Sequence, residues 1–95
     1  MKINGYELRG DGACPEQYDV FKDGEQVGYL RLRNGWFRAD YPQICHSGGE
    51  TIYEANPRGD GEFEDDERKH YLTEAINAID VKRKSEASLS KRKDE

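Results

Sequence analysis

The stretch Gln17–Pro42, QYDVFKDGEQVGYLRLRNGWFRADYP, decides the architecture of this 95-residue chain. It holds two turn dipeptides, Asp23-Gly24 and Asn34-Gly35, each flanked by β-prone residues. A two-residue type I′ turn needs positive φ at both central positions, which Asn, Asp and Gly tolerate best. The stretch therefore predicts a three-stranded antiparallel meander with strands near 17–22, 25–33 and 36–41. So tight a turn also sets the register. Arg33 faces Trp36, Leu32 faces Phe37, Arg31 faces Arg38 and Leu30 faces Ala39. Opposed residues point to the same side. One face then collects Leu30, Leu32, Phe37, Ala39 and Tyr41 as core, and the other turns Tyr29, Arg31, Arg33, Trp36, Arg38 and Asp40 to solvent.

The Asp23-Gly24 hairpin conflicts with this parity. Val20 pairs with Val27, yet strict alternation puts Val27 on the arginine side. An extra residue near Gly28 lets Val27 and Leu30 share the core face, and glycine within a strand pattern often marks such a bulge.

Working outward, Lys2–Arg9 alternates weakly through Ile3, Tyr6 and Leu8 and adds an N-terminal strand, while 10–15 and 43–49 read as loops. Thr51–Ala55 is a further strand and Asn56–Gly61 is turn-rich. From about Asp65 to Lys82 the period becomes helical, with Leu72, Ala75, Ile76 and Ile79 on one stripe. Asp65, Asp66 and Glu67 open the helix and Lys82, Arg83 and Lys84 close it, as the helix dipole favours. Glu64 or Asp65 caps it. The remaining SEASLSKRKDE is polar and aperiodic. The expected fold is α+β: an antiparallel meander of four or five strands with one C-terminal helix packed on its apolar face. Residues 1–81 make a single small domain, and 82–95 are the helix end and a flexible basic and polar tail.

Leu, Ile, Val and Phe supply only 16 of 95 residues, below the roughly 20 % that warns of disorder. Ten aromatic residues oppose that warning, so the core is thin and leans on rings. No apolar run exceeds two residues, which excludes a membrane span and a signal-peptide core. Cys14 and Cys45 are then expected as reduced thiols of a cytoplasmic protein. Residues 1–81 carry 9 basic and 17 acidic side chains. An acidic body disfavours general affinity for phosphate backbones, which needs a basic footprint.

Four constellations bear on function. The first is the strand face Tyr29, Arg31, Arg33, Trp36 and Arg38. Arg, Trp and Tyr are over-represented at protein-binding hot spots, and arginines beside exposed aromatics also serve single-strand nucleic-acid binders. A plain solvated face, with arginine stems covering the rings, is the structural alternative. The third, Cys14, Cys45, His46 and His70, lacks the paired spacing of zinc ligands. The fourth, the clusters 82–84 and 91–93, reads as a helix terminus and a solvated basic arm.

The second is Asn56–Glu67, NPRGDGEFEDDE, which resembles the twelve-residue EF-hand calcium loop. Asp60, Gly61, Phe63, Glu64 and Glu67 fall on its fifth, sixth, eighth, ninth and twelfth positions, and a helix follows. Asn56 and Arg58 stand at the first and third. The resemblance implies a calcium site built from Asn56, Asp60, Glu62 through its carbonyl, Glu64 and Glu67. The competing use is structural: turn glycines, and acids at a helix N-terminus. No glycine-rich phosphate loop is present, and no catalytic set or cofactor is expected. The expectation is a non-enzymatic adaptor or regulator that binds a protein partner or a second copy of itself through the arginine–aromatic face, with single-stranded nucleic acid or calcium binding as alternatives.

Overall fold

The computed structural model describes the backbone of residues 1–11 and 15–93, and the side chains of 1–10 and 15–87. Six strands form one antiparallel meander in the order β1-β2-β3-β4-β5-β6: β1 Lys2–Ile3, β2 Tyr6–Asp11, β3 Glu16–Lys22, β4 Glu25–Arg33, β5 Trp36–Tyr41 and β6 Glu50–Ala55. A 3-10 turn, Cys45–Ser47, joins the last two, and one helix, α1 Asp65–Lys93, closes the chain. The strand count exceeds the expected four or five because the N-terminal segment is a hairpin. Asn4 and Gly5 take φ of 51° and 85°, matching Asp23-Gly24 and Asn34-Gly35, so an Asn-Gly or Asp-Gly dipeptide turns the chain three times.

The meander has the expected register throughout the Asn34-Gly35 hairpin, with Arg31 opposite Arg38 and Leu32 opposite Phe37. The bulge also falls where parity required it. Val20 pairs with Gly28 and Phe21 with Gln26, leaving Val27 as the extra residue on β4. Val27 and Leu30 are both buried as a result. Gly10 departs from the expected loop: it lies within β2 opposite Tyr18, so the strand continues to Asp11. The rest of that loop, residues 12–14, lies outside the described residues.

Leu72, Ala75, Ile76 and Ile79 of α1 are at most 1 % exposed, packed against Tyr6, Leu8, Tyr18, Val20, Val27, Leu30, Leu32, Phe37, Ala39 and Phe63. Phe37 sits at the centre of an aromatic group, edge-on to Phe63 at 4.9 Å, to Tyr53 at 6.1 Å and to Tyr71 at 6.4 Å. Such ring pairs add to the area they bury, which is how a chain poor in aliphatics closes its core. Ile79 lies over Gly28, where a Cβ would stand 2.6 Å from Ile79 Cδ1. Glycine there permits the close approach of helix to sheet.

The helix runs well past the expected end at Lys82. Its apolar stripe stops at Ile79, and polar contacts take over. Tyr6 Oη donates to Asp80 Oδ1 at 2.7 Å and Tyr41 Oη to Glu86 Oε1 at 2.6 Å. Lys82 pairs with Glu50 at 3.0 Å, and Lys84 with Asp80 one turn away at 2.9 Å. No helix among the described residues is long and apolar enough to cross a membrane.

Candidate functional site

The outer face of the sheet is built by parity alone. Successive side chains of a strand point to opposite sides, so Tyr29, Arg31 and Arg33 leave β4 opposite to Leu30 and Leu32. On β5, Trp36 and Arg38 project with them. The register sets Gln17 of β3, Arg31, Arg38 and Glu54 of β6 in one row across four strands. Asp19, Tyr29, Asp40 and Thr51 form the next.

Arg31, Arg33, Asn34, Trp36 and Arg38 enclose an open hollow of about 270 Å³. Trp36 is 41 % exposed, the Arg38 guanidinium lies 5.3 Å from its ring centre, and its indole Nε1 donates to Glu54 Oε1 at 2.8 Å. Four of the five expected face residues are thus brought together. Tyr29 is not. It sits one row away, half-buried, with its hydroxyl donating to Gln17 Oε1 at 2.8 Å. Burial pushes its pKa up, only partly offset by Arg31 and Arg38.

Asp40 departs from the expected solvent exposure. It is fully buried, accepting from Arg38 Nε at 3.2 Å, Thr51 Oγ1 at 2.7 Å and the Cys45 backbone N–H at 3.0 Å. The cause is a second register slip. Ala39 pairs with Tyr53 but Asp40 with Thr51, so Ile52 is extra on β6, and the chain between β5 and β6 returns over this end of the face.

The segment 56–67 has a structural use of its own. Glu67 Oε1 accepts from Arg58 N at 2.9 Å, and its Oε2 accepts from Gly59 N at 2.8 Å and Glu64 N at 3.0 Å. The last of these is one half of a capping box, in which a glutamate at the third helical position reaches back to the cap residue. Burial pushes the Glu67 carboxyl up, but the three backbone donors and Arg58 outweigh it and hold it below the ordinary value. The positive charge amid these acids is Arg58 itself, paired with Glu64 at 3.0 Å and with Asp66. Asn56 donates to Gly35 O at 3.1 Å, Asp60 accepts through its backbone oxygen from Gly35 N at 2.6 Å, and the Glu62 side chain is exposed. Asn56, Asp60, Glu62, Glu64 and Glu67 therefore do not converge on a point. No group of three His, Cys, Asp or Glu among the described residues is placed to hold a metal ion.

The loop instead buttresses the arginine face. Asp60 and Gly61 line a second open hollow of about 360 Å³ with Pro15, Arg31, Arg33 and Asn34. Its other anchor is Glu16, a residue the sequence reading passed over. Glu16 is 1 % exposed and accepts from Arg68 Nε at 2.9 Å and Phe63 N at 2.9 Å, and its own N–H donates to Gly61 O at 2.7 Å. The Tyr18 hydroxyl, two residues on, donates to Glu16 Oε2 as well, but Arg68, Phe63 and Gly61 lie about fifty residues away, so no local pattern signals the site. Cys45 and His46 are exposed, His70 lies edge-on to Tyr71 at 4.9 Å, and Cys14 falls outside the described residues. Compared with protein-family models, curated proteins and solved structures, the chain finds no match in any of the three.

Proposed function

We propose that this chain is a non-catalytic binding protein that docks another protein on the outer face of its sheet, through Trp36, Arg31, Arg33 and Arg38. One observation carries the reading. In a chain with five more acids than bases, Arg31 and Arg33 make no ion pair among the described residues, and they flank a large exposed aromatic ring. Arginine and tryptophan presented on rigid strands contribute area and directed donors at low ordering cost. The buried carboxylates Glu16, Asp40 and Glu67 are each occupied by structural hydrogen bonds, which favours binding over acid–base chemistry.

A W36A/R31A double variant tests this in parallel pull-downs with the unaltered chain. Proteins retained by the parent are expected to be lost from the variant at unchanged circular dichroism. Equal retention by both overturns the assignment. Single-stranded nucleic acid on the same face draws on the same Arg38–Trp36 stack, against the net charge of −5. Oligonucleotide affinity that falls steeply with salt is its signature. No anisotropy change at low ionic strength removes it.

A further inference from the structure

We infer that the hollow between Arg31, Arg33, Trp36 and Arg38 seats a doubly charged phosphate group carried by a side chain of the protein partner. This rests on the binding reading above and names what the partner presents. Arg31 stands directly opposite Arg38 on the neighbouring strand. Like charges so placed, with Cβ atoms about 5 Å apart, destabilise a sheet unless an anion lies between them. Of the three arginines, Asp40 pairs only with Arg38, at 3.2 Å, and its remaining capacity goes to Thr51 and the Cys45 N–H. Glu54 is turned to the Trp36 indole, and Asp60 lines the neighbouring hollow without pairing with Arg31 or Arg33. Arg31 Nε is buried without an acceptor among the described residues. Three guanidinium groups thus line one hollow, and among the described residues a single carboxylate is bonded to them.

Guanidinium forks match the oxygen geometry of phosphate, and a phosphorylated side chain brings close to two negative charges with three acceptor oxygens. At ~30 Å³ per water molecule, 270 Å³ is room for about nine, enough for a phosphate and part of its stem. The rim decides between sources. Glu54 and Asp60 are exposed beside the hollow and repel a continuous polyanion, whereas one phosphate on an otherwise neutral peptide meets only the arginines.

Inorganic phosphate is the first probe. It is titrated at constant ionic strength against chloride, at pH 7.5, while the Trp36 indole N–H and arginine Nε–H resonances are followed by NMR. A saturable shift with phosphate alone is expected, weakened at least tenfold in Arg31→Ala. Arg33→Ala serves as the second variant if the first does not fold. Equal shifts in phosphate and chloride, or a phosphate shift unchanged by either substitution, overturn the inference. A phosphoserine peptide is then compared with its unphosphorylated twin and with a single-stranded oligonucleotide. Tenfold preference for the phosphopeptide over both is expected, and tighter binding of the oligonucleotide overturns the assignment to a protein. If phosphate fails while the W36A/R31A variant still loses its partner, the docking face stands and the phosphate seat falls.

Discussion

Arg68 and Arg31 are the same side chain in two opposite situations. Arg68, on the first turns of α1, bonds Glu16 at 2.9 Å through Nε, Asp65 at 2.8 Å through Nη1 and the Phe63 carbonyl at 3.0 Å through Nη2. Its hydrogen bonds to Glu16 and Asp65 raise its pKa further above the usual arginine value. Arg31, near the end of β4, has no acid partner among the described residues and a buried Nε that none of them bonds, and it faces a second arginine. The fold itself explains Arg68, which ties the helix start, the preceding loop and the first residue of β3 together. No described contact of the fold uses the charge of Arg31. An unmet donor that stability does not require is where a binding function is sought.

The sharpest way to break this contrast is Glu16→Ala. It removes the shared acceptor of Arg68 and Phe63 N–H from a site that water barely reaches. Phe63 N–H and the Tyr18 hydroxyl each lose a buried acceptor, at about 1–3 kcal/mol apiece, while Arg68 keeps Asp65 and the Phe63 carbonyl, so the total loss is about 3–5 kcal/mol. Urea unfolding monitored by circular dichroism measures it, and a loss below about 1 kcal/mol would reduce the Glu16–Arg68 unit to surface decoration.

Next in size is Gly28→Ala, three residues from Arg31 on the same strand but facing α1. The new methyl would stand 2.6 Å from Ile79 Cδ1, and overpacking of this kind costs about 1–3 kcal/mol. Combining it with Ile79→Val, which removes that terminal methyl, is expected to restore part of the loss in the same unfolding assay. Unchanged stability of Gly28→Ala would mean that the helix yields freely over β4.

Glu67→Gln is smaller, about 1–2 kcal/mol, since the amide keeps one acceptor for three backbone donors. It also carries a pH signature. The folded-state carboxyl lies below its ordinary value of 4.5, so on acidification the unfolded chain takes up the proton first. The stabilisation is complete above about pH 4.5 and fades as pH falls through the folded-state value. Stability curves between pH 7 and pH 2 are expected to fall less steeply for the glutamine variant. Parallel curves would show that the carboxylate does not hold the loop through its charge.

Arg31→Ala is expected to change stability least, by within about 0.5 kcal/mol, as surface substitutions without a structural partner do. Relief of the Arg31–Arg38 opposition biases the sign toward stabilisation. A loss above 2 kcal/mol would make Arg31 a strut like Arg68 and erase the contrast.

Much of this arrangement was legible from residue order. The Asn34-Gly35 register emerged in full because a two-residue turn leaves no slack, and a bulge near Gly28 emerged because two adjacent hairpins disagreed on which side Val27 faces, although the extra residue is Val27 and Val20 lies opposite Gly28. The Asn4-Gly5 turn carries the same signal, but its first strand, Lys2–Ile3, is too short to show alternation. The helix beyond Lys82 was missed because an apolar period marks only the docked part of a helix. Asp40 was misplaced because the slip on β6 involves no glycine or proline within the strand.

Local chemistry therefore settled the side-chain parity of the meander and the stripe of α1. Both follow from backbone periods of two and 3.6 residues and from dipeptides that accept positive φ. The fates of the charged groups were settled elsewhere. Glu16, Asp40 and Glu67 were withdrawn as structural acceptors, Arg58 filled the centre of a loop that resembles a calcium site, and Arg31 and Arg33 were left without acids among the described residues. A charge is used up by the donors that fold against it. Those donors come from distant segments, so their identity is a property of packing, which only the tertiary structure contains.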